Sequence, residues 1–64
     1  MKDIITEGDL VRFLDEDTGY YIYGTFGGLN ERGTKGYVQE ENNGAVHLIE
    51  SHIIHKVQST SKVA

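Results

Sequence analysis

Nothing in this chain repeats at helical spacing. No window of about eleven residues keeps apolar side chains three and four positions apart, as a helix with one buried face requires. What recurs instead is alternation, cut at intervals by glycine, and that pattern belongs to short strands. The chain has eight glycines and no proline, so glycine does all of the sharp turning. "GDLVRFL" (8–14) sets Val11 and Phe13 on one side and Leu10, Arg12 and Leu14 on the other. "DEDTG" (15–19) has the composition of a tight turn, with side-chain oxygens to bond the local backbone and Gly19 free to take positive φ. "YYIYGTF" (20–26) is rich in the aromatic and β-branched residues that strands favour. "GGLNERG" (27–33) reads as a loop and "TKGYVQEE" (34–41) as a third strand. "NNG" (42–44) is a hairpin signal, because Asn-Gly suits the turn that matches strand twist. "AVHLIE" (45–50) is a fourth strand, "SHII" (51–54) opens on a serine suited to one helical turn, and "HKVQ" (55–58) is a last strand.

Five short strands spaced about ten residues apart, with no helix of length, predict an all-β fold, a small five-stranded barrel with one short helical turn before the last strand. Closure is also a physical answer to unpaired strand edges. A chain of 64 residues holds one domain. At that size only about 60% of the unfolded surface is buried, and without cysteine there is no disulfide to help. The expected interior is Val11, Phe13, Ile22, Phe26, Val38, Val46, Leu48, Ile53 and Val57. The expected division is a segment over 1–6, the barrel over 7–58, and a disordered tail over 59–64, small and polar in composition.

The order of motifs resembles an SH3-like barrel of the KOW and Tudor-like branch. "EGDLVRF" is similar to the opening strand of bacterial members, "TGYYIYGTF" to their second strand, and "SHIIHKV" to their closing helical turn and fifth strand. The resemblance covers about residues 7 to 58 and implies a fold; folds of this kind host many unrelated activities. After Gly24 the chain reads "TFGGLNERG", which lacks the basic residues of the KOW motif, so the RNA-contact role of that family is not carried over. There is no tryptophan of the kind true SH3 domains use on proline-rich ligands. In size and style the chain resembles small proteins of bacterial phages and mobile elements.

Charge bears on the partner. Up to Gly19 there are six acids against two bases, which accounts for the whole net charge of −4; the remaining residues carry four of each. A generic nucleic-acid binder shows a basic stripe, and none is visible. Phosphate contacts supply most non-specific affinity, so direct nucleic-acid binding is disfavoured.

The tyrosines carry the functional expectation. With Ile22 and Phe26 inward, Tyr21, Tyr23 and Thr25 fall on the opposite face, and Tyr20 shares the inward side near the barrel end with its hydroxyl in solvent. Tyr37 and His47, each beside inward residues, are expected outward. Two readings of this set stay open. Tyrosines can pack under loops and satisfy their hydroxyls locally, or they can form an exposed patch, since tyrosine brings contact area with little entropy to lose. On the second reading the binding residues are Tyr21, Tyr23, Tyr37 and His47 with Leu29, Asn30 and Arg32 of the glycine-rich loop, and the partner is another protein. The alternative is a nucleic-acid-linked role: direct RNA or DNA binding through Arg12, Arg32, Lys35 and the tyrosines, or mimicry of nucleic acid by the acidic N-terminal half. A homo-oligomer joined at a barrel edge is a third.

Other motifs point to no chemistry. The carboxylates of "DEDTG" lack the distant bidentate Glu of a calcium loop and read as a solvated turn, or as a lure for a partner's basic surface. His47, His52 and His55 fit no closed zinc pattern. "GGLNERG" matches no phosphate-cradling motif, and no nucleophile is paired with a base. The expectation is a non-enzymatic protein with no cofactor and no metal. No apolar run approaches the roughly 18 residues of a membrane span, and "MKDIITEGD" lacks a leader's apolar stretch; the expected location is cytoplasmic.

Overall fold

The structure, a computed structural model, describes residues 4–57. It is all-β: β1 (Leu10–Asp15), β2 (Tyr20–Leu29), β3 (Lys35–Glu40), β4 (Val46–Glu50), a single 3₁₀ turn over Ser51–Ile53, and β5 (His55–Lys56). The five strands form one antiparallel sheet in the order β4-β3-β2-β1-β5. The expected closed barrel is not reached: β4 and β5 are the two edges of an open sheet. β5 has two residues, enough to pair Val11 with Lys56 and Arg12 with His55 but not to reach a further strand. The expected tail over 59–64 lies outside the described residues. Among the described residues, no helix is long and apolar enough to cross a membrane.

Each connection has a local chemical cause. In the β1–β2 turn, the Gly19 N–H donates to the Asp15 carbonyl at 2.7 Å and the Asp17 N–H to Asp15 Oδ1 at 3.0 Å. Gly19 takes φ 80°, which a side chain would strain. Between β2 and β3, Asn30 Oδ1 accepts from the N–H groups of Thr34 (3.0 Å) and Lys35 (3.2 Å), an Asx-type closure. Between β3 and β4, the Glu40 N–H donates to the Ala45 carbonyl at 2.7 Å, and Asn43 Oδ1 accepts from the Ala45 N–H at 2.9 Å.

β2 is longer than the sequence suggests, because "GGL" continues it instead of opening the loop. It serves two neighbours in turn. Residues 20–25 pair with β1, and the part from Gly24 onward pairs with β3, with the register shifting between Phe26 and Leu29. Only Gly24 and Thr25 have strand partners on both sides. The shift is a bulge, which bends a strand and raises its twist.

The core is Val11, Phe13, Phe26, Val38 and Ile54, with Ile5, Ile22 and Ile49 packed against it in part. Burying each of these larger side chains contributes roughly 1.5–3 kcal/mol. Four expected core positions differ. Val46 and Leu48 are outside, 63% and 50% exposed. Ile53 and Val57 are half-buried, and it is Ile54 that fills the interior. The first correction follows from register. Val38 faces His47 and Gly36 faces Ile49 across the β3–β4 ladder, and residues opposite one another share a face. His47 and Ile49 therefore join Val38 on the inner side, while Val46 and Leu48 join Gln39 and Tyr37 on the outer side. Tyr20 has the inner parity expected of it, opposite Asp15, but at the sheet's end it is 76% exposed.

Candidate functional site

The outer face of the sheet is built by the same parity rule. β1 presents Leu10, Arg12 and Leu14; β2 presents Tyr21, Tyr23 and Thr25; β3 presents Lys35, Tyr37 and Gln39; β4 presents Val46, Leu48 and Glu50, with Lys35 and Glu50 opposite one another at the edge. The cross-strand pairs are Leu14 with Tyr21, Arg12 with Tyr23, Leu10 with Thr25, Thr25 with Gln39, Gln39 with Val46, and Tyr37 with Leu48. All seven large apolar or aromatic residues in this set are exposed.

The face has two parts, because β2 changes neighbours halfway. On the β1–β2 half, Leu14, Tyr21, Arg12 and Tyr23 lie together. On the β3–β4 half, Tyr37 and Leu48 are paired and Val46 follows. Thr25 and Gln39 bridge them. Gly27 keeps the second half open: a Cβ there would touch the Cβ of Tyr37 at 3.4 Å, so Tyr37 has bare backbone beside it.

Arg12 is the charged member of the first half. Its guanidinium carbon lies 4.4 Å from the centre of the Tyr21 ring, within cation–π range. Its Nη1 donates to the Tyr23 hydroxyl at 3.4 Å, a long hydrogen bond. That bond holds the guanidinium even more firmly protonated than usual, with partial burial working the other way. Both contacts are with neutral groups.

Of the seven residues expected to bind, three are together in the sense of sharing this exposed face: Tyr21, Tyr23 and Tyr37. His47 is not. It points inward, half-buried, its ring tilted against Phe13 with centroids 5.5 Å apart and its Nε2 3.0 Å from Glu40 Oε1. Leu29 ends β2 opposite Gly36, so it has inner parity, although it is exposed. The side chain of Asn30 is engaged in closing its own loop. Arg32 is exposed at the loop's tip.

Sequence reasoning overlooked Val46 and Leu48 on this face and treated Leu10 and Leu14 as mere outward partners. The β1–β2 half was within reach, since the turn at 15–19 fixes which residues of β1 and β2 stand opposite. The β3–β4 half needed the register of β4, for which "AVHLIE" offers two nearly equal choices.

A concavity of about 450 Å³ lies between the β1–β2 turn and the 3₁₀ turn. Phe13, Ile49 and Ile53 contribute apolar lining, and Asp15, Glu16, Asp17 and Glu50 line it with carboxylates. His52 shares the rim, its Nδ1 3.6 Å from Glu50 Oε1. Among the described residues no group of three or more His, Asp or Glu is arranged to hold a metal ion.

No protein-family model matches this sequence, and comparison with the curated proteins gives no match. The fold and the exposed face thus define the class: a small all-β protein of one open antiparallel sheet, with an aromatic and aliphatic outer surface.

Proposed function

We propose that this protein is a small non-enzymatic binding module that docks on a larger protein through the outer face of its sheet. The observation that carries the reading is the set of exposed Leu10, Leu14, Tyr21, Tyr23, Tyr37 and Leu48 on the outer face of the sheet. Apolar and aromatic side chains gathered on one sheet face, in two groups bridged by Thr25 and Gln39, point to interaction, and tyrosine is prominent among residues that carry binding energy. The exposed Arg32 loop is a candidate rim of the same contact.

The finer fold belongs to the same proposal. A meander whose long second strand serves two neighbours, followed by one helical turn and a short fifth strand, fits an SH3-like barrel left open between β4 and β5. Small phage and bacterial regulators, acting in the cytoplasm, are the setting such a module suits.

Tyr23→Ala tests the reading, because Tyr23 is outside the core and opposite Arg12. In affinity capture from the cells that make the protein, the wild type retains a partner and the variant loses it, with a loss of about 1–2 kcal/mol or more in the isolated complex. A folded Tyr23→Ala protein that binds its partner as the wild type does would refute the assignment.

Arg12 beside two tyrosines favours a second reading, in which single-stranded RNA or DNA stacks on the rings. The net charge of −4 works against it. A gel shift with random oligonucleotides at low salt decides the matter; binding there that falls steeply with added salt would support it.

A further inference from the structure

We propose that Arg12 is the anchor for a carboxylate side chain of the docking protein segment, so that the partner presents an Asp or Glu flanked by apolar residues. This rests on the docking role of the outer face and adds the chemistry of what docks.

The guanidinium is held in place before any partner arrives. Tyr21 lies under it at 4.4 Å and the Tyr23 hydroxyl accepts one of its protons. It also makes no ion pair among the described residues. The ion pairs among the described residues are His47 with Glu40, His52 with Glu50 and Lys56 with Asp9. Arg12 is in none of them, although the chain has ten acidic residues. Its cross-strand neighbours are Tyr23 on β2 and His55 on β5, neither of them acidic. A guanidinium has five N–H donors in a planar fork matched to a carboxylate, and among the described residues one of them is committed to a protein acceptor. Leu10 and Leu14 stand on either side of Arg12 along β1, both exposed. A segment covering them would exclude water and strengthen the charge pair at the centre.

The same observations choose protein over nucleic acid as the occupant. A phosphate backbone repeats its charge along its length and calls for several cations. The outer face as traced through β1–β4 offers two, Arg12 and, at the far end of β3, Lys35, which stands opposite Glu50; the turn beside Arg12 carries Asp15, Glu16 and Asp17. A single carboxylate among apolar side chains fits one fixed cation among apolar side chains.

The test is selection of phage-displayed random peptides on the immobilised full chain, followed by fluorescence polarisation with the synthetic winners. The selected peptides should share an Asp or Glu with apolar neighbours. They should bind Arg12→Gln about tenfold or more weakly, as the loss of a charged hydrogen bond implies. Replacing the peptide's acid by its amide should cost the same against the wild type, which tests the pairing without touching the protein's fold. Arg12→Glu should then prefer a peptide with Lys at that position. Peptides without an acid that still depend on Tyr23 would overturn the anchor and leave the docking face standing. Peptides indifferent to Tyr23→Ala, or a selection that enriches nothing, would overturn both. Two other results would replace the occupant: a single-stranded oligonucleotide that binds through Arg12 with a steep salt dependence, or a self-dimer in sedimentation that Arg12→Gln dissolves.

Discussion

Gly24 is the position where the two halves of the sheet are joined, and a single methyl group there should be felt throughout. It pairs with Val11 on β1 and with Glu40 on β3. A Cβ at Gly24 would overlap the carbonyl oxygen of Gln39, lie 2.8 Å from that carbonyl's carbon and 2.9 Å from Val38 Cγ1. Two of those three atoms are backbone and cannot rotate away, and Val38 is fully buried. Relief requires β2 and β3 to separate locally, which strains the β2–β3 ladder at the point where it begins. Overpacking of this kind costs typically about 1–3 kcal/mol, and the backbone clash puts Gly24→Ala at the upper end. Loss of unfolded-state entropy returns only about 0.4–1 kcal/mol, which leaves a net destabilisation of about 2 kcal/mol. At roughly 0.05–0.15 kcal/mol per residue the whole chain has about 3–10 kcal/mol to lose. The melting temperature should fall by about 8–16 °C, at roughly 4–8 °C per kcal/mol for a domain of this size. Gly27→Ala is the control: its Cβ would meet Tyr37 Cβ at an ordinary 3.4 Å, so its melting temperature should hold or rise slightly. Far-ultraviolet circular dichroism on heating, with urea titration followed by tyrosine fluorescence, measures both. A Gly24→Ala protein that melts within about 2 °C of the wild type, well inside the shift expected from overpacking, would show that the strands are not packed at Gly24 as described.

Further substitutions probe two separate features. His47→Ala removes a ring packed on Phe13 and leaves the Glu40 carboxylate without its partner, so it should cost about 1–2 kcal/mol in urea unfolding; His52→Ala, at an exposed site, should change little, and equal effects would contradict the inward placement of His47. Asp9 accepts from the Thr6 N–H at 2.9 Å and the Thr6 hydroxyl at 3.2 Å, with Lys56 Nζ at 3.6 Å, and the Thr6 backbone bond above all holds its carboxyl below the usual carboxylate range, against some desolvation. Because the folded value is the lower one, the stabilisation is present above the unfolded carboxyl's pKa and is lost as pH falls through the folded value; Asp9→Asn should therefore flatten the acid limb of a melting-temperature profile, and an unchanged slope would remove Asp9 from that role.

How much could be read in advance depended on what fixes each element. The strands of β1 and β2 were legible because alternation and the turn at 15–19 agree: once that turn is placed, Phe13 must face Ile22 and Arg12 must face Tyr23. The helical turn was legible from Ser51 and from the apolar pair that follows it. The face of β4 was not. In "AVHLIE" one parity offers Val46 and Leu48, the other Ala45, His47 and Ile49, and the number of large aliphatic side chains favours the first. The choice is made by the β3–β4 turn, where Glu40 bonds Ala45 and sets Gln39 opposite Val46. Shifting that pairing by one residue would exchange the two faces. Closure was not legible either, since alternation gives the inner and outer faces of a sheet but not whether its edges meet. Nor was the bulge, for "GGL" reads equally as loop and as a bent strand end.

A single sheet has two faces, and a chain of this length can cover only one of them. Here the covered face accounts for Val11, Phe13, Phe26, Val38 and Ile54, with Ile5, Ile22 and Ile49 at its margin. Nothing on that side requires Leu10, Leu14, Tyr21, Tyr23, Tyr37 or Leu48 to be large or apolar, because each points away from it. Strand propensity would explain tyrosine here and there, but threonine would satisfy propensity and keep the surface wet, as Thr25 does in the middle of the same face. Folding alone also fails to explain Arg12, which is stacked and hydrogen-bonded but forms no ion pair among the described residues of a chain whose net charge is negative. Apolar residues that the fold does not need and a cation that the fold does not neutralise occupy the same side of the sheet. Both features are what the proposed docking surface, completed by a second molecule, would require.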